Sequence, residues 1–415
     1  MTAPTTQPLQ VVAREDELQE IVRSAAQATR VAVDLEASGM FTYRARICAV
    51  QLAWDGGRAA VIDPLAVPLD GLRALLGEGG PVKIVHDVAF DARLLAEVGI
   101  ELGHVHDTAL AARMLGRAAT GLASLLESEL GVHIAKEMQR HDWRERPLDE
   151  RMLAYLGQDV TYLAALDDKL WGEALARGIT CEVLEETRYR LASAVEAVRS
   201  PDTSPPYTRV KGVDRLAERE LAVLRVIAEL REREASRRDV PPHRVASNDA
   251  LLAIARERPR TGPQVMRLRG IPRDTPDAAV FAADVATAVL AAGETLPAEE
   301  RARFERPRPP AALARARRER ESRVLAWRRE EARRREVDEQ VILPGHCVKD
   351  AVELVLAAGE ASGEVTPARE QDELAQLAKV PGIGAFRIER YGAAIVQSMR
   401  DKPGERTEGA EGAPP

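Results

Sequence analysis

The residues with the clearest chemical potential are acidic. Asp34-Leu35-Glu36 lies inside the apolar stretch VAVDLEA. On a strand, residues two apart share a face, so both carboxylates point one way while Val33 and Leu35 point to the core. Side by side they repel, and a divalent cation between them is the natural remedy. Asp91 stands five residues past His86 in KIVHDVAFDARLL, where a short buried strand gives way to a helix. Tyr155 and Asp159, in LAYLGQDVTYL, are spaced by four and so share a helical face. Each signal is weak alone, because 66 of the 415 residues are acidic and most carboxylates are solvated. The order carries the weight: four carboxylates and a phenol suit phosphodiester hydrolysis, in which two divalent ions about 4 Å apart activate water and stabilise the leaving oxygen.

These groups need an α/β frame. Leu18 to Ala28 is expected to be helical. Val31–Ala37, Arg46–Trp54 and Ala59–Asp63 read as strands joined by hairpins, with a Gly56-Gly57 turn before the last of them, and Val82–Val85 as a short buried strand. From Val88 the pattern is mostly helical, which predicts a mixed sheet covered by helices. The rest reads as all-α. Helices are expected over 216–231, 250–256 and 278–292, and again over 324–335 and 348–357, as a weak internal duplication of a small bundle. Pro/Ser/Thr-rich Ser200 to Pro206 and the stretch from Leu296 to Pro310 read as linkers. The expected units are therefore 1–200, 207–295 and 311–400, followed by a disordered tail over 401–415.

Charge is unevenly distributed. The chain carries 59 basic and 66 acidic residues, net −7, while residues 1–200 hold 21 basic against 30 acidic. Residues 301–340 hold 14 Arg against 8 acidic residues. An acidic front fits a carboxylate site, and a basic rear segment fits either phosphate contact or a helix laced with ion pairs. The three cysteines form no C-x-x-C, which excludes a zinc ribbon and a disulfide framework. No apolar run reaches a membrane-spanning length, and Met1 to Pro8 lacks the features of a signal peptide. A cytoplasmic, non-membrane protein is expected. The oligomeric state is not set by the sequence, and a monomer is assumed.

Over residues 10–190 the chain resembles the DEDDy 3′–5′ exonucleases of the ribonuclease-H-like superfamily, and within them the ribonuclease D group. Besides the acidic set, the likeness rests on Asp107-Thr108, on Gly121-Leu122-Ala123 with Leu125, and on KEMQRHDWRERPL before the last helix of that stretch. The rear units resemble helicase-and-RNase-D C-terminal (HRDC) domains, the second through Trp327-Arg328, Val341 to Pro344 and PGIGAFRIERYG, the first more loosely. The resemblance implies a ribonuclease-H-like mixed-sheet exonuclease domain followed by two all-α HRDC-like bundles. It implies that Asp34 bridges two metals, Glu36 and Asp159 complete the first site, Asp91 helps hold the second, and Tyr155 positions or helps deprotonate the attacking water. Oxygen ligands suit Mg²⁺, with Mn²⁺ able to substitute.

By the same resemblance, Met40 and Phe41 would meet the terminal base; Lys136, Arg140 and Arg146, just before the catalytic helix, could touch phosphates or be ordinary surface charge. His86 is expected to support the site as a strand-end histidine, and Trp143 to anchor packing. Gly382-Ile383-Gly384, with Arg387 and Arg390 nearby, is either a phosphate-holding turn or a tight helix–helix turn that needs glycine. The expected activity is metal-dependent 3′–5′ trimming of structured RNA such as tRNA precursors. The alternatives are the same chemistry on DNA, or a catalytically inert nucleic-acid-binding scaffold.

Overall fold

The computed structural model describes residues 9–55, 57–134, 137–304, 309–359 and 367–400. Gly56 of the expected turn, Lys136 and the tail 401–415 lie outside these residues. Six strands form one mixed sheet: β1 (Gln10–Val12), β2 (Arg30–Ala37), β3 (Ile47–Trp54), β4 (Arg58–Ile62), β5 (Val82–Val85) and β6 (Val105–Asp107). Their order is β1-β4-β3-β2-β5-β6. The expected antiparallel run β2–β3–β4 is present, and β1, β5 and β6 add in parallel to β4, β2 and β5.

The principal helices are α1 (Glu15–Ala25), α2 (Val88–Glu97), α3 (Thr108–Met114), α4 (Glu150–Thr161), α5 (Leu163–Ala176), α6 (Thr180–Arg199), α7 (Glu218–Arg238), α8 (Asn248–Glu257), α9 (Ala278–Ala291), α10 (Ala311–Arg334), α11 (Cys347–Gly359), α12 (Pro367–Leu377) and α13 (Ala385–Arg400). Helix α1 starts three residues before the expected position because Glu15, Asp16 and Glu17 fill its first turn, where negative charge is favoured. Helix α10 begins well before the expected 324, since Arg and Glu at helical spacing sustain it without an apolar stripe. The expected linker from Leu296 to Pro310 is helical over Ala298–Phe304, and Glu300 there holds Arg225 of α7 at 2.8 Å.

Alternation along β2 sends Val31, Val33 and Leu35 into a large core with Leu52, Leu72 and Leu95. The other sheet face carries Ala32, Ile84, Val160 and Leu163. Two helical cores follow, one around Leu224, Ile227 and Phe281, the other around Val324, Val352 and Ile395. The first is tied to the sheet unit through Tyr43, whose backbone N–H donates to Asp239 at 3.2 Å and whose hydroxyl donates to Glu232 at 3.1 Å. The second is tied through α6, where Tyr189 stacks on His346 with ring centroids 4.3 Å apart. Among the described residues no helix is long and apolar enough to cross a membrane.

Candidate active site

The site grows from the β2 face opposite the main core. Asp34 sits across from Gln51 of β3, and Glu36 across from Ala49, whose small side chain leaves room. The β2–β3 register breaks between Glu36 and Ala37, as happens where a strand edge must be re-aimed near a site. Helix α4 lies over this face. It is capped by Asp149, which accepts from the Met152 N–H at 2.7 Å. Its buried stripe of Met152, Tyr155, Leu156, Asp159 and Val160 brings the phenol and the second acidic contribution inward together.

Carboxylate oxygens of Asp34, Glu36 and Asp159 then lie within 4.8 Å of one another. Among the described residues no Lys or Arg is paired with them. Burial pushes the Asp34 carboxyl up to about 7. Burial, followed by repulsion from Asp34, Asp159 and Asp91, pushes Glu36 up to about 9. Asp159 rises to about 8 by burial and then by Asp34. The Tyr155 phenol is also held above its ordinary value, first by burial and then by Asp159, Glu36 and Asp34. Such a set fits a hard divalent cation: several oxygen donors converge, and their mutual repulsion is uncompensated by the protein.

Asp91 joins from α2. It is 8% exposed, and burial with repulsion from Asp34, Asp87 and Asp107 holds its carboxyl well above the ordinary range. Its position depends on Asp107, fully buried at the end of β6. That carboxylate accepts four backbone N–H groups, from Asp87 at 3.1 Å, Val88 at 3.2 Å, Ala109 at 3.0 Å and Leu110 at 3.1 Å. One side chain thus caps α3 and fixes the entry to α2, where Asp87 adopts a left-handed φ of 63°. Asp107-Thr108 directly after a short strand is a readable capping signal, but the second helix it pins is 20 residues away in sequence.

A cleft of about 420 Å³ opens over the cluster, with Asp34, Glu36, His86, Tyr155 and Asp159 among its walls. His86 bonds through Nδ1 to Thr108 Oγ1 at 2.9 Å, and burial lowers its basicity. Arg113, which sequence reasoning missed, also lines the cleft. The only signal for it is its place four residues after Ala109 on the helix that Asp107 caps.

The other expected contacts fall elsewhere. Met40, 49% exposed, and Phe41 do not line the cleft. The Phe41 ring instead lies 6.0 Å from the Arg144 guanidinium and 5.3 Å from that of Arg244 in the first helical unit. Arg140 is exposed outside the cleft.

Arg146 corrects the expectation of a phosphate contact. Its guanidinium pairs with both Asp63 carboxylate oxygens at 2.7 Å and donates to the carbonyls of Cys48, Trp143 and Glu145 at 2.7, 2.8 and 2.8 Å. These five bonds use every N–H it has. Trp143, 1% exposed, packs 5.6 Å from Tyr155 and steadies the phenol from behind.

The Gly382–Gly384 turn resolves to the simpler alternative. Gly382 has φ +92°, and the turn faces a carboxylate: Glu185 accepts the Phe386 N–H at 2.7 Å, and a Cβ on Gly384 would collide with it. Arg387, fully buried, pairs with Glu185 at 3.2 Å and donates to the carbonyls of Val341, Glu182 and Gln340.

A family model described as 3′–5′ exonuclease matches residues 9–174, and an HRDC domain model matches residues 220–275. Ribonuclease D of Shewanella sp. (strain ANA-3) is 31% identical over 269 residues, covering 63% of this chain and 67% of that one. Ribonuclease D of Jannaschia sp. (strain CCS1) is 30% identical over 292 residues, covering 69% and 74%. Among solved structures, Escherichia coli RNase D, described as an exoribonuclease involved in structured RNA processing, superposes with a TM-score of 0.66 at 22% identity, covering 95% of this chain and 99% of that one. A protein from Bifidobacterium adolescentis gives 0.72 at 20% identity over 97% and 99%. At these identities the structural likeness carries the fold: a mixed-sheet exonuclease domain followed by helical domains.

Proposed function

The chain belongs to the ribonuclease D family of metal-dependent 3′–5′ exoribonucleases, and from that premise we propose that Asp34, Glu36, Asp91, Tyr155 and Asp159 hydrolyse the terminal phosphodiester of RNA at the cleft described above. The observation that carries the reading is the convergence of Asp34, Glu36 and Asp159 oxygens within 4.8 Å, with no paired Lys or Arg among the described residues. Bound there, a pair of Mg²⁺ ions, or Mn²⁺ in their place, would neutralise phosphate charge and lower the pKa of water.

The chain's own groups divide the remaining work. Asp34, at the centre of the cluster, faces both Asp159 and Asp91 and is the carboxylate placed to be shared. Glu36 and Asp159 complete one side, and Asp91, held by the Asp107 cap, serves the other. The Tyr155 phenol keeps its proton at neutral pH, so it orients the attacking water by a hydrogen bond. His86 holds the β5 end against Thr108 and keeps the cleft wall in place.

In the same reading residues 1–200 form the exonuclease domain, 207–295 the first HRDC domain and 311–400 a second HRDC-like domain. The substrate is a structured RNA with an accessible 3′ end, such as a tRNA precursor, and the setting is the cytoplasm, where Cys48, Cys181 and Cys347 stay free thiols.

The test is incubation of the purified protein with 5′-labelled RNA and with DNA of the same sequence. The expected result is a ladder shortening one nucleotide at a time from the 3′ end, stopped by EDTA, restored by Mg²⁺ or Mn²⁺, and faster on RNA. Shortening from the 5′ end, or turnover that survives chelation, overturns the reading. A preference for the DNA strand overturns the substrate.

A further inference from the structure

We propose that Arg113 grips a backbone phosphate of the RNA strand as it lies in the cleft, acting as a substrate-positioning residue. The inference rests on the exoribonuclease reading and adds a contact to it. Helix α3 is capped by Asp107, and Ala109 and Arg113, four residues apart, present one face to the cleft. Arg113 is the one Lys or Arg among the described residues that line it, while the other charged walls are Asp34, Glu36, Asp87 and Asp159.

Its freedom distinguishes it from its neighbours. Arg117, three residues past the end of α3, is tied to Glu129 and Glu173, and Arg146 has spent every donor. The Arg113 side chain is exposed, and its guanidinium has no hydrogen bond or ion pair to any described residue. A guanidinium left unpaired in an otherwise acidic cleft has no structural task there. It matches the one charged feature that an RNA strand repeats, since its planar fork binds phosphate oxygens in pairs. The acidic walls offer that strand no positive charge, so before any cation is bound Arg113 supplies the local attraction. Because it meets the strand rather than the reacting water, it acts on binding more than on the chemical step.

The experiment uses the full chain and its Arg113→Ala and Arg113→Lys variants, with a fluorescent single-stranded RNA. Binding is read by anisotropy in EDTA over a salt series, and turnover is read separately with Mg²⁺. The expected result for Arg113→Ala is a Kd raised about tenfold, as for loss of one charge-assisted contact. The slope of log Kd against log salt should fall by about 0.7, one phosphate on a single strand. KM should rise with Kd while kcat stays within about twofold, and Arg113→Lys should fall between the two. Unchanged Kd and salt slope in Arg113→Ala, with a native thermal melt, overturn the proposal. Failure of the native chain to degrade RNA at all is a different outcome, and it strikes the exoribonuclease reading instead.

Discussion

Asp34→Asn lowers the rate of RNA hydrolysis by roughly 10³-fold, because several kcal/mol of transition-state stabilisation is at stake and each 1.4 kcal/mol is a decade. Asn is nearly isosteric, so the β2 strand and its pairing with β3 stay intact while the shared charge is lost. RNA binding in EDTA persists in this variant, which separates loss of chemistry from loss of substrate. A second readout is stability. In the native state the Asp34 carboxyl titrates near 7, above its ordinary 3.8. Between those values the folded state holds a proton that the unfolded state has released, so in chelator the native protein loses stability as pH rises from about 4 to about 7. Asn cannot ionise and removes that slope. In EDTA at pH 8, Asp34→Asn therefore melts at a higher temperature than the native chain, and divalent cations stabilise the native chain more than the variant. A variant that hydrolyses RNA at a native rate, or that shows no difference in pH dependence, contradicts the assignment.

Arg387→Ala destabilises the packing of the second helical unit on α6 by about 3–5 kcal/mol, the usual consequence of removing one partner from a buried ion pair. Arg387 has no exposed surface, and its loss leaves the Glu185 carboxylate without its paired charge, with only the Phe386 N–H as donor, and takes a donor from the carbonyls of Val341, Gln340 and Glu182. Urea denaturation with hydrogen-exchange readout of α13 and α6 measures the effect. A change below about 1 kcal/mol would mean that the interface draws its stability from the apolar contacts of Val341 with Leu110 and Val183 instead.

Much of the site was legible because it obeys local periodicity. Period-two alternation placed Asp34 and Glu36 opposite Val33 and Leu35, and the i,i+4 spacing placed Tyr155 over Asp159. Asp91 was harder, since one residue in a helix shows no face by itself. Its inward orientation is set by the Asp107 cap, a long-range contact. Strands β1 and β6, three residues each, are too short to display alternation.

The arginines mark where sequence reading stops. Arg146 and Arg387 resemble free basic residues, yet their partners Asp63 and Glu185 lie 83 and 202 residues away and leave them no capacity for phosphate. Arg113 shows the converse: nothing in its neighbourhood marks it, and only the fold reveals that it faces an acidic wall without a partner. Sequence exposes charge, and tertiary structure decides which charges are already satisfied.

The most direct measurement is diffraction from crystals soaked in Mn²⁺, recorded at the manganese absorption edge. The expected map has anomalous peaks bounded by the carboxylates of Asp34, Glu36 and Asp159, with a further peak toward Asp91. A map without manganese among those oxygens contradicts the account.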